Sequence, residues 1–165
     1  MVDLLAHKTN MDEDRFPAFY EATARPLWAY LVRVSRDRDV ADDLLQESYC
    51  RFLTAKLPAM NEAECKSYLY RIATNLLRDR WRRQEREPEA AKPDIGESGF
   101  ETRAELRQAF QELKPRERQL LWLAYVEKFS HNEIAGFTGL RSGSIRLLLF
   151  RARRKLADML RGKRI

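Results

Sequence analysis

Residues 130–155 read SHNEIAGFTGLRSGSIRLLLFRARRK. Ser130 and Glu133 stand three apart at the head of this stretch, the spacing of a capping box. There the Ser hydroxyl accepts from the Glu backbone N–H and the carboxylate reaches back. A short helix to about Phe137 follows, and Thr138-Gly139-Leu140 supplies a turn with Gly139 free to take a left-handed conformation. From about Ser142 the apolar residues recur as Ile145, Leu149, Ala152, Leu156 and Met159, one face of a helix. Arg146, Arg151, Arg153, Arg154 and Lys155 fall on the other faces.

A short capped helix, a glycine turn and a longer basic helix form a helix-turn-helix, whose second helix lies in the major groove of DNA. Base edges are then met from its N-terminal part, by Arg141, Ser142, Ser144, Arg146 and Leu147, with Phe150 and Arg151 one turn further on. Arginine offers paired donors to guanine O6 and N7, hydroxyls and the helix N-terminus bind phosphate, and an aromatic ring touches a thymine methyl. A plain helical hairpin with a solvated basic face is the competing reading.

Outward from this motif, charge is unevenly spread. The 165 residues carry 31 Lys plus Arg against 25 Asp plus Glu, a net +6. Residues 1–65 hold eight basic and twelve acidic side chains, a net −4, and residues 87–140 hold seven and ten, a net −3. By contrast residues 66–86 hold seven against two, a net +5, and residues 141–165 nine against one, a net +8. Two basic blocks in an otherwise acidic chain point to a polyanionic partner at two places.

Apolar residues at 44% and charged ones at 34% suit modest cores and exclude membrane life. No 18-residue apolar run occurs, and Met1 to Asp14 lacks the basic and apolar blocks of a signal peptide, so a cytoplasmic location is expected. Two cysteines, Cys50 and Cys65, and two histidines, His7 and His131, with no Cys-x-x-Cys spacing, argue against a zinc site or disulfide framework. No cofactor or metal is expected. Period-2 alternation is absent, so the chain reads as all-α: two small helical domains, 1–86 and 100–165, joined by a flexible linker at 87–99 where Pro88, Pro93, Gly96, Ser98 and Gly99 interrupt any periodicity.

The first domain reads as three helices. Phe16, Tyr20, Leu27, Leu31 and Val34 share one face, with Pro17 in the first turn and Pro26 predicted to bend or break the helix. A second helix runs from about Asp39, as its cap, to near Pro58, and leaves Asp42-Asp43-Leu44-Leu45-Gln46-Glu47 as an acidic segment. The third spans about Glu62 to Arg86. Tyr68, Leu69, Ile72, Ala73, Leu76, Leu77 and Trp81 form its stripe, opposite Arg71, Arg78, Arg82 and Arg83. Asn75, Tyr68, Tyr70 and Trp81 among arginines pair stacking faces with phosphate-binding cations, which suits melted nucleic acid, although core packing competes for the rings. In the second domain a helix over roughly Phe100 to Leu113 is followed by one opened by Pro115.

The ordered runs DVADDLLQESYCRFL (39–53), SYLYRIATNLLRDRWRR (67–83) and LKPRERQLLWLAYVEKFSHNEIAGFTGLRSGSIRLLLFRARRKL (113–156) resemble extracytoplasmic-function sigma factors, the small sigma-70-type subunits of bacterial RNA polymerase. The resemblance implies that Asp43, Leu44, Gln46 and Glu47 bind the coiled coil of the polymerase β′ subunit. It implies that Asn75, Arg78, Asp79 and Arg80 open and read the promoter −10 element, with the basic face of Arg71, Arg82 and Arg83 guiding the strand. Arg146, Phe150 and Arg151 match positions that meet the −35 element, and the helix from Pro115 resembles the part that docks on the β flap. Leu147 and Leu148 depart from the pattern of a small polar residue followed by arginine. Core RNA polymerase, promoter DNA and an anti-sigma protein are the implied partners, the last a device that could hold the chain near a membrane without inserting it.

A stand-alone helix-turn-helix regulator binding an operator as a dimer is the alternative of a different class. An enzyme acting on nucleic acid would need a metal or acid–base cluster, against which the histidine and cysteine census argues.

Overall fold

In the computed structural model, Met11 and residues 14–86 and 104–162 are described, and their regular elements are all helical. Helix α1 spans Phe16–Ser35 with Pro17 in its first turn. The sequence pattern predicts a bend or break at Pro26, but α1 continues through it unbroken. Leu27, Tyr30 and Leu31, just beyond the proline, have no exposed surface. Burying each is worth about 1.5–3 kcal/mol, which together outweighs the roughly 3 kcal/mol that an interior proline costs.

Helix α2, Arg38–Thr54, is capped by Asp37 rather than Asp39. The Asp37 carboxylate accepts from the backbone N–H of Asp39 at 3.0 Å and of Val40 at 3.2 Å. Asp37 has the extended backbone that a capping residue needs, and Asp39 lies in the first turn, where its charge complements the helix dipole. The helix also stops before Pro58: Ala55 is already extended. Leu57 precedes a proline and is therefore disfavoured in helical conformation, so the helix ends ahead of it. Helix α3, Glu62–Arg86, follows behind a reciprocal pair in which Asn61 accepts from the Glu64 N–H at 2.8 Å and Glu64 from the Asn61 N–H at 3.3 Å.

After residues 87–103, which contain the predicted linker and lie outside the described residues, come α4 (Ala104–Glu112), α5 (Pro115–Leu121), α6 (His131–Thr138) and α7 (Ser142–Gly162). Helix α5 widens into a π-helical turn over Trp122–Val126, where the Glu127 N–H bonds the Trp122 carbonyl at 3.1 Å. Helices α1–α3 pack on one another and so do α4–α7. The two groups also meet, α1 against α5 and α3 against α6, and share one continuous apolar core.

Polar groups trapped at that meeting are bonded to one another. Tyr30 hydroxyl lies 2.8 Å from Thr74 Oγ1 and accepts from Gln119 Nε2 at 3.1 Å. Burial pushes its pKa up. Arg118, 3% exposed, inserts its guanidinium between the groups. It donates to the carbonyls of Arg33 (3.1 Å) and Val34 (2.7 Å) in the last turn of α1 and to those of Gln111 (3.3 Å) and Leu113 on its own side. Burial lowers its pKa to about 10, so it remains a cation at neutral pH.

Candidate nucleic-acid interface

The helix-turn-helix forms as the capping box predicts: Ser130 Oγ accepts from the Glu133 N–H at 3.1 Å, and Glu133 accepts from the Ser130 N–H at 3.1 Å. At the turn, Gly139 takes φ 74°, the left-handed region. A methyl there would also lie 2.6 Å from the end of the Arg78 side chain, which would have to shift, while the left-handed backbone itself favours glycine.

Ile145, Leu149 and Ala152 fix the inner face of α7. That leaves Ser142, Arg146, Leu147, Phe150 and Arg151 exposed on its N-terminal half and Arg141 exposed just before it, with Ser144 half-buried. Leu156 and Met159 are only half-buried, as the helix runs past its supports. Lys155 pairs with Glu117 of α5 at 3.0 Å, and Arg153 lies 5.8 Å from the Tyr125 ring.

On α3, Arg71, Asp79, Arg82 and Arg83 are exposed while Asn75, Arg78 and Arg80 are half-buried. Arg78 is turned toward the C-terminal helices: Nη1 donates to the Thr138 carbonyl at 3.0 Å and Nη2 to Asn75 Oδ1 at 2.9 Å. The rings among these arginines belong to the core. Tyr68 is half-buried with its ring 6.3 Å from that of Phe52, and Trp81 packs on the same core. Tyr70, with no exposed surface, offers no stacking face to a base; its hydroxyl donates to Glu127 at 2.8 Å. Burial first, then the Glu127 carboxylate, pushes its pKa up.

On α2, Asp43, Gln46 and Glu47 form an exposed row. Leu44, predicted to contact a partner alongside them, is instead turned inward at 8% exposure, the apolar anchor that holds the acidic row outward. Asp42 accepts from Trp28 Nε1 at 2.7 Å, and Glu47 pairs with Arg51 one turn on at 2.8 Å.

The network that binds the two helical groups, built from Arg118, Gln119, Glu127, Lys66 and Arg116, has no signal in the sequence pattern. Arg118 and Gln119 fall in the run ERQLLWL, in which residues 118–121 are all buried, so no polar face marks them. Among the described residues no group of His, Cys, Asp and Glu could hold a metal ion, and no helix is long and apolar enough to cross a membrane.

Two family profiles match: Sigma-70 region 2 over residues 19–87 and Sigma-70, region 4 over residues 103–156. The ECF RNA polymerase sigma factor EcfG of Rhodopseudomonas palustris is 30% identical over 147 residues, covering 84% of this chain and 81% of its own. The RNA polymerase sigma factor CarQ of Myxococcus xanthus is 30% identical over 159 residues, 90% of each. In structure, the sigma factor RpoE of Bartonella quintana, crystallised with the anti-sigma factor NepR, aligns with a TM-score of 0.61. That alignment covers 88% of this chain and 96% of RpoE at 19% identity, a likeness of fold. With helices α1–α3 falling in region 2 and α4–α7 in region 4, the chain belongs to the sigma-70 family, in its extracytoplasmic-function group, the transcription initiation factors that direct RNA polymerase to promoters.

Proposed function

We propose that the chain divides this work between a domain at 1–86 and one at 100–165. Asp43, Gln46 and Glu47 meet the β′ coiled coil of polymerase. Asn75, Arg78, Asp79 and Arg80 read the opened −10 element, with Arg71, Arg82 and Arg83 along the strand. Arg141, Ser142, Ser144, Arg146, Leu147, Phe150 and Arg151 meet the −35 element. The chain performs no covalent step itself; it holds polymerase and two promoter elements together, and each weak contact gains from the effective concentration the others supply. The observation that carries this reading is the outward row formed by Arg141 and the N-terminal half of α7, in a capped helix-turn-helix: six of the seven candidate −35 residues are exposed there.

A bacterial anti-sigma protein is the proposed inhibitor, by analogy with NepR on RpoE, and the cytoplasm the proposed site of action. The test is run-off transcription on a promoter library with purified chain and core polymerase, beside a DNA-binding assay without core. Core-dependent initiation from a shared −35/−10 pair is expected. Tight, specific operator binding without core and without initiation would instead favour a stand-alone regulator.

Within the −35 contact, Leu147 and Phe150 lie three apart on α7, at 51% and 50% exposure. The chemistry that suits such a pair in the major groove is the thymine methyl. Replacing the thymines of the selected −35 element one at a time by deoxyuridine, which removes only that methyl, is expected to cost about fourfold in initiation at the facing position. Burial of one such group is worth ~0.8 kcal/mol. Leu147→Ser should abolish the difference between the two bases at a position it faces. Indifference of the wild-type chain to every such replacement would show that the pair reads no methyl.

A further inference from the structure

Two of the cations on α7 are held by the protein itself. Lys155 Nζ lies 3.0 Å from Glu117 Oε1 in the first turn of α5, and the Arg153 guanidinium lies 5.8 Å from the centre of the Tyr125 ring in the π-helical turn. Glu117 Oε1 also accepts from the Lys114 backbone N–H at 3.1 Å, which fixes the carboxylate to the start of α5. The Glu117 side chain is 21% exposed against 43% for Lys155, so the pair is partly sheltered from salt screening.

The places of these two cations on α7 give the contacts a geometric consequence. Ile145, Leu149 and Ala152 are buried and Leu156 packs on the same core, which defines the inner stripe of the helix. Arg153 follows Ala152 by one residue and Lys155 precedes Leu156 by one, so at about 100° per residue they stand on opposite flanks of that stripe. Their partners stand at opposite ends of the segment that α7 packs against, Glu117 in the first turn of α5 and Tyr125 in the π-helical turn that continues it. Apolar burial is non-directional and fixes the roll of a helix about its axis only loosely, whereas a tie on each flank opposes roll in either direction. Leu147 and Phe150 project from the far side of the same helix, so its roll decides where they point.

Resting on the −35 reading of α7, we propose that Glu117 and Tyr125 are positioning residues for the −35 contact: through Lys155 and Arg153 they set the roll of α7 and so which of its side chains meet base edges. They act through these cations and not on the DNA. The same ties withdraw two positive charges from the phosphates, so α7 depends less on sequence-independent attraction and more on the bases it faces.

The experiment uses the full chain with core polymerase and reads discrimination, the ratio of initiation from the selected −35 element to initiation from a scrambled one. Glu117→Gln keeps an oxygen that can accept from the Lys114 N–H, so the start of α5 is preserved and its melting curve should overlay that of the wild type. Discrimination is expected to fall about tenfold, the size of one mismatched base pair. Lys155→Gln should lose as much, and the double variant no more than either, because all three cut one tie. Tyr125→Leu, which keeps an apolar surface but removes the ring face, should lose about threefold, since an exposed cation–π contact is weak. Promoter binding by Glu117→Gln should also steepen in salt by about one unit of log–log slope as the released Lys155 reaches a phosphate, and that by Lys155→Gln should not.

Glu117 is also an electrostatic neighbour of Arg118, and its helix is part of the segment that the family resemblance assigns to the β flap. An effect by either of those routes would persist in the Lys155→Gln background, so additive losses in the double variant would overturn the positioning role. Wild-type discrimination in Glu117→Gln or in Tyr125→Leu, or an unchanged salt slope in Glu117→Gln, would overturn it too. A wild-type chain that initiates without regard to the −35 sequence would remove the −35 reading itself, and the positioning with it.

Discussion

An Arg118→Ala chain is expected to lose about 3–5 kcal/mol of unfolding free energy, read as a fall in the urea midpoint, the size seen when a buried charged hydrogen-bonding centre is removed. The guanidinium satisfies four backbone carbonyls from two helical groups, those of Arg33, Val34, Gln111 and Leu113. Two of these are last-turn carbonyls of α1, which lack helical partners of their own and which a cation caps well. Truncation leaves acceptors unbonded in a dry space, each costing about 1–3 kcal/mol unless water enters. For a chain of this size that corresponds to a fall in Tm of roughly 6–20 °C.

Arg118→Lys should recover only a small part, because one ammonium cannot reach acceptors on both sides as a planar fork does. A loss below about 1 kcal/mol in Arg118→Ala would mean that water replaces the guanidinium and that the two helical groups do not depend on it.

This residue also marks where sequence stops informing structure. The chain's helices could be placed closely wherever a local device sets them: the Ser130–Glu133 box, the Gly139 turn, the Pro115 start and the apolar stripe of α3 all act within a few residues. Local rules misplaced the α2 cap by two residues, since Asp37 and Asp39 both have the right chemistry and only the backbone at Asp37 decides between them. They also predicted a bend or break at Pro26, where packing by Leu27, Tyr30 and Leu31 keeps the helix unbroken.

The candidate DNA-facing residues of α7 were legible because helical spacing alone separates Arg146, Leu147 and Phe150 from Ile145 and Leu149. Arg78 and Tyr70 were not. Their positions on α3 were readable, but what they touch, Thr138 and Glu127, is about sixty residues away in sequence. Contacts at such separation follow from how two finished helical groups fit, and no periodicity encodes that.

Glu47→Lys is expected to abolish association with core polymerase while leaving the fold unchanged. Glu47 is half exposed and pairs with Arg51 at i+4, also exposed. An exposed pair of this kind contributes only tenths of a kcal/mol, so the variant should unfold within about 0.5 kcal/mol of the wild type. At the polymerase the same change sets a cation where the proposed contact needs an acid, and like-charge juxtaposition at an interface costs several kcal/mol. At about 3–4 kcal/mol that is a weakening on the order of 100- to 1,000-fold in Kd.

Gln46 and Asp43 share the exposed row and Leu44 does not, so Leu44→Ala should behave in the opposite way: stability falls by about 2–4 kcal/mol through the cavity it leaves, and binding changes only as far as the α2 surface is disturbed. Sedimentation of each variant with core polymerase, beside its denaturation curve, separates the two effects. Glu47→Lys that co-sediments as the wild type does would remove the acidic row from the polymerase interface.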